Sequence, residues 1–86
     1  LGFSDAGPPP LWIARYGEAL AAAQKHQQAY QLLQPLLSNM TLTEPEAAAA
    51  LAISAKATGH VDTAEAARTL CVKLAKKRAP ALCPRA

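Results

Sequence analysis

The sequence predicts an all-α fold, and three observations carry that expectation. Alanine and leucine supply 33 of the 44 hydrophobic residues in a chain of 86, and both are strong helix formers. Valine and isoleucine together number four, and the only aromatics are Phe3, Trp12, Tyr16 and Tyr30, so β-sandwiches, barrels and parallel sheets lack their usual residues. Apolar side chains recur at spacings of three and four, the period of an amphipathic helix. A chain this short holds one domain at most and buries proportionally little apolar surface.

Each element follows from local chemistry. Residues 1–10 contain two glycines and three consecutive prolines, which forbid a helix and favour an extended arm or linker. Trp12, Tyr16, Ala19, Leu20 and Ala23 recur at helical spacing and predict a first helix from about Pro9 to Lys25. Ala29, Leu32, Leu33, Leu36 and Leu37 form the stripe of a second, which Pro35 should bend or shorten. Thr43-Glu44-Pro45-Glu46 reads as a helix start, with Thr43 as N-cap and Pro45 in the first turn. The Ala-rich third helix should end at Gly59. Asp62 or Thr63 can cap a fourth, with a stripe of Ala64, Ala67, Cys71 and Leu74, running to about Arg78 before Pro80 stops it. The organisation expected is an arm (1–10), a helical domain (11–78) of two antiparallel hairpins (11–38 and 44–78), and an irregular tail (79–86). Trp12, Tyr16, Leu20, Leu33, Leu36, Leu51, Ala64, Cys71 and Leu74 should be mostly buried.

The two hairpins repeat each other. An offset of 35 places Tyr16-Gly17 on Leu51-Ala52, Leu20 on Ala55, Ala29 on Ala64 and Leu36 on Cys71. A small residue after a bulky one lets two helices approach closely while the bulky one fills the groove beside them. On these residues, and on Gly59 in the turn A-T-G-H-V-D-T-A, the stretch from 11 to 78 resembles the tetratricopeptide repeat, a helix-turn-helix unit of ~34 residues. The sequence departs from that pattern in having Gln24-Lys25 where the turn glycine belongs, one extra residue in the period, and Arg68 where a bulky aromatic is usual. The resemblance implies a right-handed solenoid fragment serving as a protein–protein interaction scaffold, binding a partner peptide or helix or packing on further repeats. It also implies that the first helix of each hairpin lines a concave face. Outward positions there are Arg15, Glu18, Ala22 and Lys56, the expected partner-binding residues.

Charge offers an alternative. Residues 1–65 carry six acids against three bases, and residues 66–86 carry six bases and no acid. The basic patch Arg68, Lys73, Lys76, Lys77 and Arg78 can contact nucleic acid, although cations in the last turns of a helix are also favoured by its dipole. No Gly-rich phosphate loop, nucleophile elbow, H-E-x-x-H or C-x-x-C occurs. His26 and His60 fall near turns, where a satisfied surface imidazole is expected. Catalysis, a cofactor and a metal site are therefore not expected.

Cys71 lies on an apolar stripe and Cys83 twelve residues on. A helix from Cys71 to Arg78 rises ~10 Å and five extended residues can return that far, so a bridge is geometrically possible. Two cysteines establish no framework, and bridge and free thiols both stay open. A bridge would imply an extracytoplasmic compartment, periplasmic or secreted; free thiols would fit the cytoplasm. Asn39-Met40-Thr41 is a sequon, usable only in a secreted eukaryotic protein. No run approaches the roughly 20 apolar residues that span a bilayer, and neither end reads as a signal peptide. The chain is expected to be soluble, and its start at Leu1 rather than Met suggests a piece of a longer one. Two repeats are fewer than the ~3 a solenoid needs, which predicts self-association or attachment to neighbours.

Overall fold

The structure, a computed structural model, describes residues 9–84; most of the expected arm and the last two residues lie outside that range. Five α-helices follow one another: α1 (Pro10–Ala22), α2 (His26–Ser38), α3 (Pro45–Ala57), α4 (Val61–Ala75) and, after a 3₁₀ turn at Lys76–Arg78, the short α5 (Ala79–Leu82). Among the described residues there is no strand, as the scarcity of β-branched and aromatic residues predicts.

The helix starts depend on proline more than on side-chain caps. Pro10 and Pro45 occupy the first turns of α1 and α3, where a missing N–H is no loss. Glu44 rather than Thr43 is the N-cap of α3, and His60 rather than Asp62 or Thr63 that of α4; neither makes a side-chain capping bond. Pro35 lies inside α2 without shortening it, since the helix runs on to Ser38.

The helix ends share one device. Lys25 N–H donates to the Leu20 carbonyl at 2.8 Å, Thr41 N–H to Leu36 at 2.9 Å and His60 N–H to Ala55 at 2.8 Å, the long bond of a Schellman motif in each case. The residue before each donor takes positive φ: Gln24 at 63°, Met40 at 59° and Gly59 at 85°. Only the last is the glycine this conformation favours.

The tail departs from the irregular segment expected over 79–86. Lys76 turns the chain with φ of 56°, and Pro80, which cannot continue α4, sits in the first turn of α5 instead. A proline that stops one helix is well suited to start another.

Packing centres on α3, which touches α1, α2, α4 and α5, whereas α4 makes no comparable contact with α1 or α2. The arrangement is thus an open sequence of helices extending over 42 × 26 × 21 Å, with no closure of the fourth helix on the first. Nine of the 13 residues of α3 are buried, six of them alanine. Short side chains let neighbours approach it from several sides.

Two expected core residues face outward. Leu20, Leu33, Leu36, Leu51 and Cys71 are buried and Ala64 and Leu74 half-buried, but Trp12 is 70% and Tyr16 60% exposed. The cause is Gly17. Its backbone lies so close to α2 that a Cβ there would overlap the Leu33 side chain, which fixes the Gly17 side of α1 inward. At about 100° per residue, Tyr16 is then turned roughly 100° away and Trp12 roughly 140°. The buried face of α1 is Ala14, Gly17 and Leu20 instead.

The offset of 35 is visible in three dimensions. α1 and α3 have 13 residues each and begin at Pro10 and Pro45; α2 and α4 begin at His26 and Val61; the left-handed residues of the two hairpin turns are Gln24 and Gly59. The same offset from Pro45 reaches Pro80. Correspondingly, α5 packs on α4 and α3 as α3 packs on α2 and α1.

Candidate functional site

The first candidate is the outer face of α1. Leu11, Trp12, Arg15, Tyr16 and Ala19 are all exposed there. Their counterparts Ala47, Ala50, Leu51 and Ser54 in α3, aligned with Trp12, Arg15, Tyr16 and Ala19, are all buried. Arg15 reaches Glu18 at 3.1 Å on its own helix and Glu44 at 3.7 Å at the start of α3. Of the four partner-binding residues inferred from the sequence, Arg15 and Glu18 are therefore paired with each other, Ala22 is exposed at the end of the same helix, and Lys56 is elsewhere, on the wall of a groove between α3 and α4.

That groove is the second candidate. It encloses about 420 Å³ and is lined by Ala52, Ile53, Lys56 and Ala57 from α3, Ala64, Glu65 and Arg68 from α4, and by Val61 and Pro84 at its margins. Ile53 and Val61 are 47% and 63% exposed. Arg68 Nε is buried and has no hydrogen-bond partner among the described residues.

The basic patch divides accordingly. Lys73, Lys76, Lys77 and Arg78 are exposed at the end of α4 and in the turn after it, while Arg68 is half-buried along the groove. Arg78 approaches Glu46 at 3.9 Å.

His26 and His60 are satisfied by hydrogen bonds, and they are half-buried rather than on the surface. His26 Nδ1 shares a hydrogen bond with Ser54 Oγ at 3.1 Å. Thr58 Oγ1 lies 2.9 Å from the Ser54 carbonyl and 2.8 Å from His60 Nδ1, and the His60 ring stacks on Tyr30 with centroids 3.9 Å apart. Ser54 is wholly buried, so its bond to His26 ties α2 to α3 and exposes no nucleophile. Sequence reading missed the His26–Ser54 and Tyr30–His60 contacts because they join residues about 30 apart with no periodic signal.

Cys71 and Cys83 are bonded, with Sγ atoms 2.06 Å and Cα atoms 5.8 Å apart. The bridge fastens the end of α5 to α4. One unit earlier the same register holds Leu36 and Ala48, both in the buried core; the covalent link stands where the preceding interface has apolar packing. Cys71 Sγ also lies 3.4 Å from the Pro45 carbonyl, a packing contact while the sulfur carries no proton. Among the described residues no helix is long and apolar enough to cross a membrane.

Compared with protein-family models, curated proteins and solved structures, the chain matches none of them.

Proposed function

We propose that this chain is a protein-interaction module built as a tetratricopeptide-like run of helices, with the outer face of α1 as its principal contact surface. One observation carries the reading: Trp12 and Tyr16 are 70% and 60% exposed at register positions where Ala47 and Leu51 are fully buried in α3, a helix that packs on the preceding hairpin. A face that one unit covers in the second hairpin is open in the first. Its occupant is a helix hairpin, from a protein partner or from further repeats, seated on α1 as α1 and α2 sit on α3. Tryptophan, tyrosine and arginine are the residues that dominate binding energy at protein interfaces, and Trp12, Arg15 and Tyr16 stand together here. Recognition would be by shape, with no covalent chemistry.

The Cys71–Cys83 bridge supports an extracytoplasmic setting, because such bonds persist in oxidising compartments. The alternative of nucleic-acid binding through Arg68 to Arg78 would rest on Lys73, Lys76, Lys77 and Arg78, since Arg68 is half-buried along the groove.

The test is site-specific photocrosslinking in the native host, with the crosslinker at position 12 and, as control, at the exposed Gln31. A discrete protein adduct at position 12, lost in Tyr16→Ala and retained when Lys73, Lys76 and Lys77 are all changed to alanine, is the expected result. Equal adducts from both positions would end this reading, and a nuclease-sensitive product lost in the triple-lysine variant would favour the alternative.

A further inference from the structure

Lys76-Lys77-Arg78 is the one place in the sequence where Lys or Arg residues are adjacent, and the fold puts it in the 3₁₀ turn between α4 and α5 with all three side chains exposed. The helical ladder is already broken there. Lys76 has φ of 56° and ψ of −114°, a conformation that L side chains rarely adopt. Arg78 and Glu46 are partners across 3.9 Å at 66% and 38% side-chain exposure, a pairing of little strength. The disulfide encloses the turn, with one cysteine on each side of it and 12 residues between their positions.

We propose that this turn is a processing site, hydrolysed after Arg78 by a serine endoprotease that recognises consecutive basic residues. Such an enzyme reads lysine and arginine through acidic pockets and binds its substrate extended, so it needs a segment that can leave the fold locally. Arg15, Lys56, Arg68 and Lys73 lie within helices, and extending them would break intact helical bonds. Lys25 lies in a hairpin turn, but its neighbours are Gln24 and His26. Among the described residues, the turn at 76–78 alone meets both requirements. The chemistry is simple hydrolysis: the oxygen of water bonds to the Arg78 carbonyl carbon, the bond to the Ala79 nitrogen breaks, and both protons of the water finish on that nitrogen, leaving a carboxylate and an ammonium.

The bridge decides what the cut does. Cys71 stays with one piece and Cys83 with the other, so the cut chain remains one covalent molecule. Ala79 is 9% exposed, and an ammonium formed there must turn out to water, which loosens α5 while the bridge holds its end on α4. Retention of the piece that begins at Ala79 then depends on a bond that thiols can reduce.

The test exposes the oxidised full chain to a purified subtilisin-like endoprotease of paired-basic specificity, followed by intact-mass measurement with and without reductant. Without reductant the mass should rise by one water; with it, a piece beginning at Ala79 should separate. Arg78→Gln should abolish the cut, and Lys77→Ala should slow it about tenfold. In the Arg78→Gln background, Val72→Lys with Lys73→Arg places a basic pair inside α4, and it should be cut at least about tenfold more slowly than the turn. The chain recovered from its native host should separate into the same two pieces on reduction. Resistance of the oxidised chain, a first cut elsewhere, pieces that part without reductant, a pair inside α4 cut as fast as the turn, or native protein that stays whole on reduction would each overturn the proposal.

Discussion

α1 and α3 have the same length and the same register, yet three residues of α1 are buried against nine of α3. The difference lies in their neighbours: among the described residues α3 has helices on both sides of it in sequence, and α1 only those that follow it. Side-chain size records this. Where α3 has Ala47, Ala50, Leu51 and Ser54 against the preceding hairpin, α1 has Trp12, Arg15, Tyr16 and Ala19 against solvent. Large amphipathic residues thus stand exposed in α1 at the register where α3 has buried, mostly small ones.

The strongest test of this comparison is truncation at matched positions. Leu51→Ala should cost about 3–4 kcal/mol, as expected for emptying a closed core, while Tyr16→Ala should cost under about 0.5 kcal/mol; urea unfolding of both variants measures the contrast. If the two losses were similar, Tyr16 would be packed in solution and the open-face reading would fall. Overfilling comes next. Gly17→Leu should cost about 3 kcal/mol, because even a Cβ overlaps Leu33, and a neutral result would mean that α1 and α2 are further apart.

How much of this was legible in sequence depended on the kind of signal. The four main helices were, because each has an apolar stripe and is bounded by Pro45, Gly59 or a polar break. The inward face of α1 was not, since aromatic residues rank as core by type, and only the closeness of Gly17 to Leu33 turns them out. Pro80 was read as a stop, although its distance from Pro45 matches that from Pro10 to Pro45; the same offset, followed one step further, would have located α5. Of the candidate site, Arg15 was named correctly as outward, but the groove around Lys56 and Arg68 arises from two helices packing together and leaves no local pattern. The pairing of Cys71 with Cys83 was one of two open readings, decided by the return of α5 onto α4.

The remaining comparisons have smaller effects. Reducing the Cys71–Cys83 bridge should lower stability by about 2–3 kcal/mol, the scale for closing a loop of this length, with hydrogen exchange rising first in α5. Protection unchanged there would show that apolar packing alone holds the segment, as it does at Leu36 and Ala48. Smallest are the two hairpin turns. Gly59→Ala should cost about 1 kcal/mol, and Gln24→Gly should gain about 0.5 kcal/mol by relieving a left-handed residue; thermal melts of the two variants should shift in opposite directions.

Because α3 packs on the first hairpin and also forms the first wall of the second, the units of packing are out of phase with the units of sequence. By contact, one packed block is α1, α2 and α3 and the other is α3, α4 and α5. A cut at Thr41 to Thr43 would separate two sequence repeats, but it would leave α1 and α2 with Leu33 and Leu36 uncovered and α3 with half its alanines in water. Recombination of such chains by whole repeats would therefore preserve the alignment of sequence while breaking a core at every junction, unless the crossover fell after α3, near Gly59, where one block is complete.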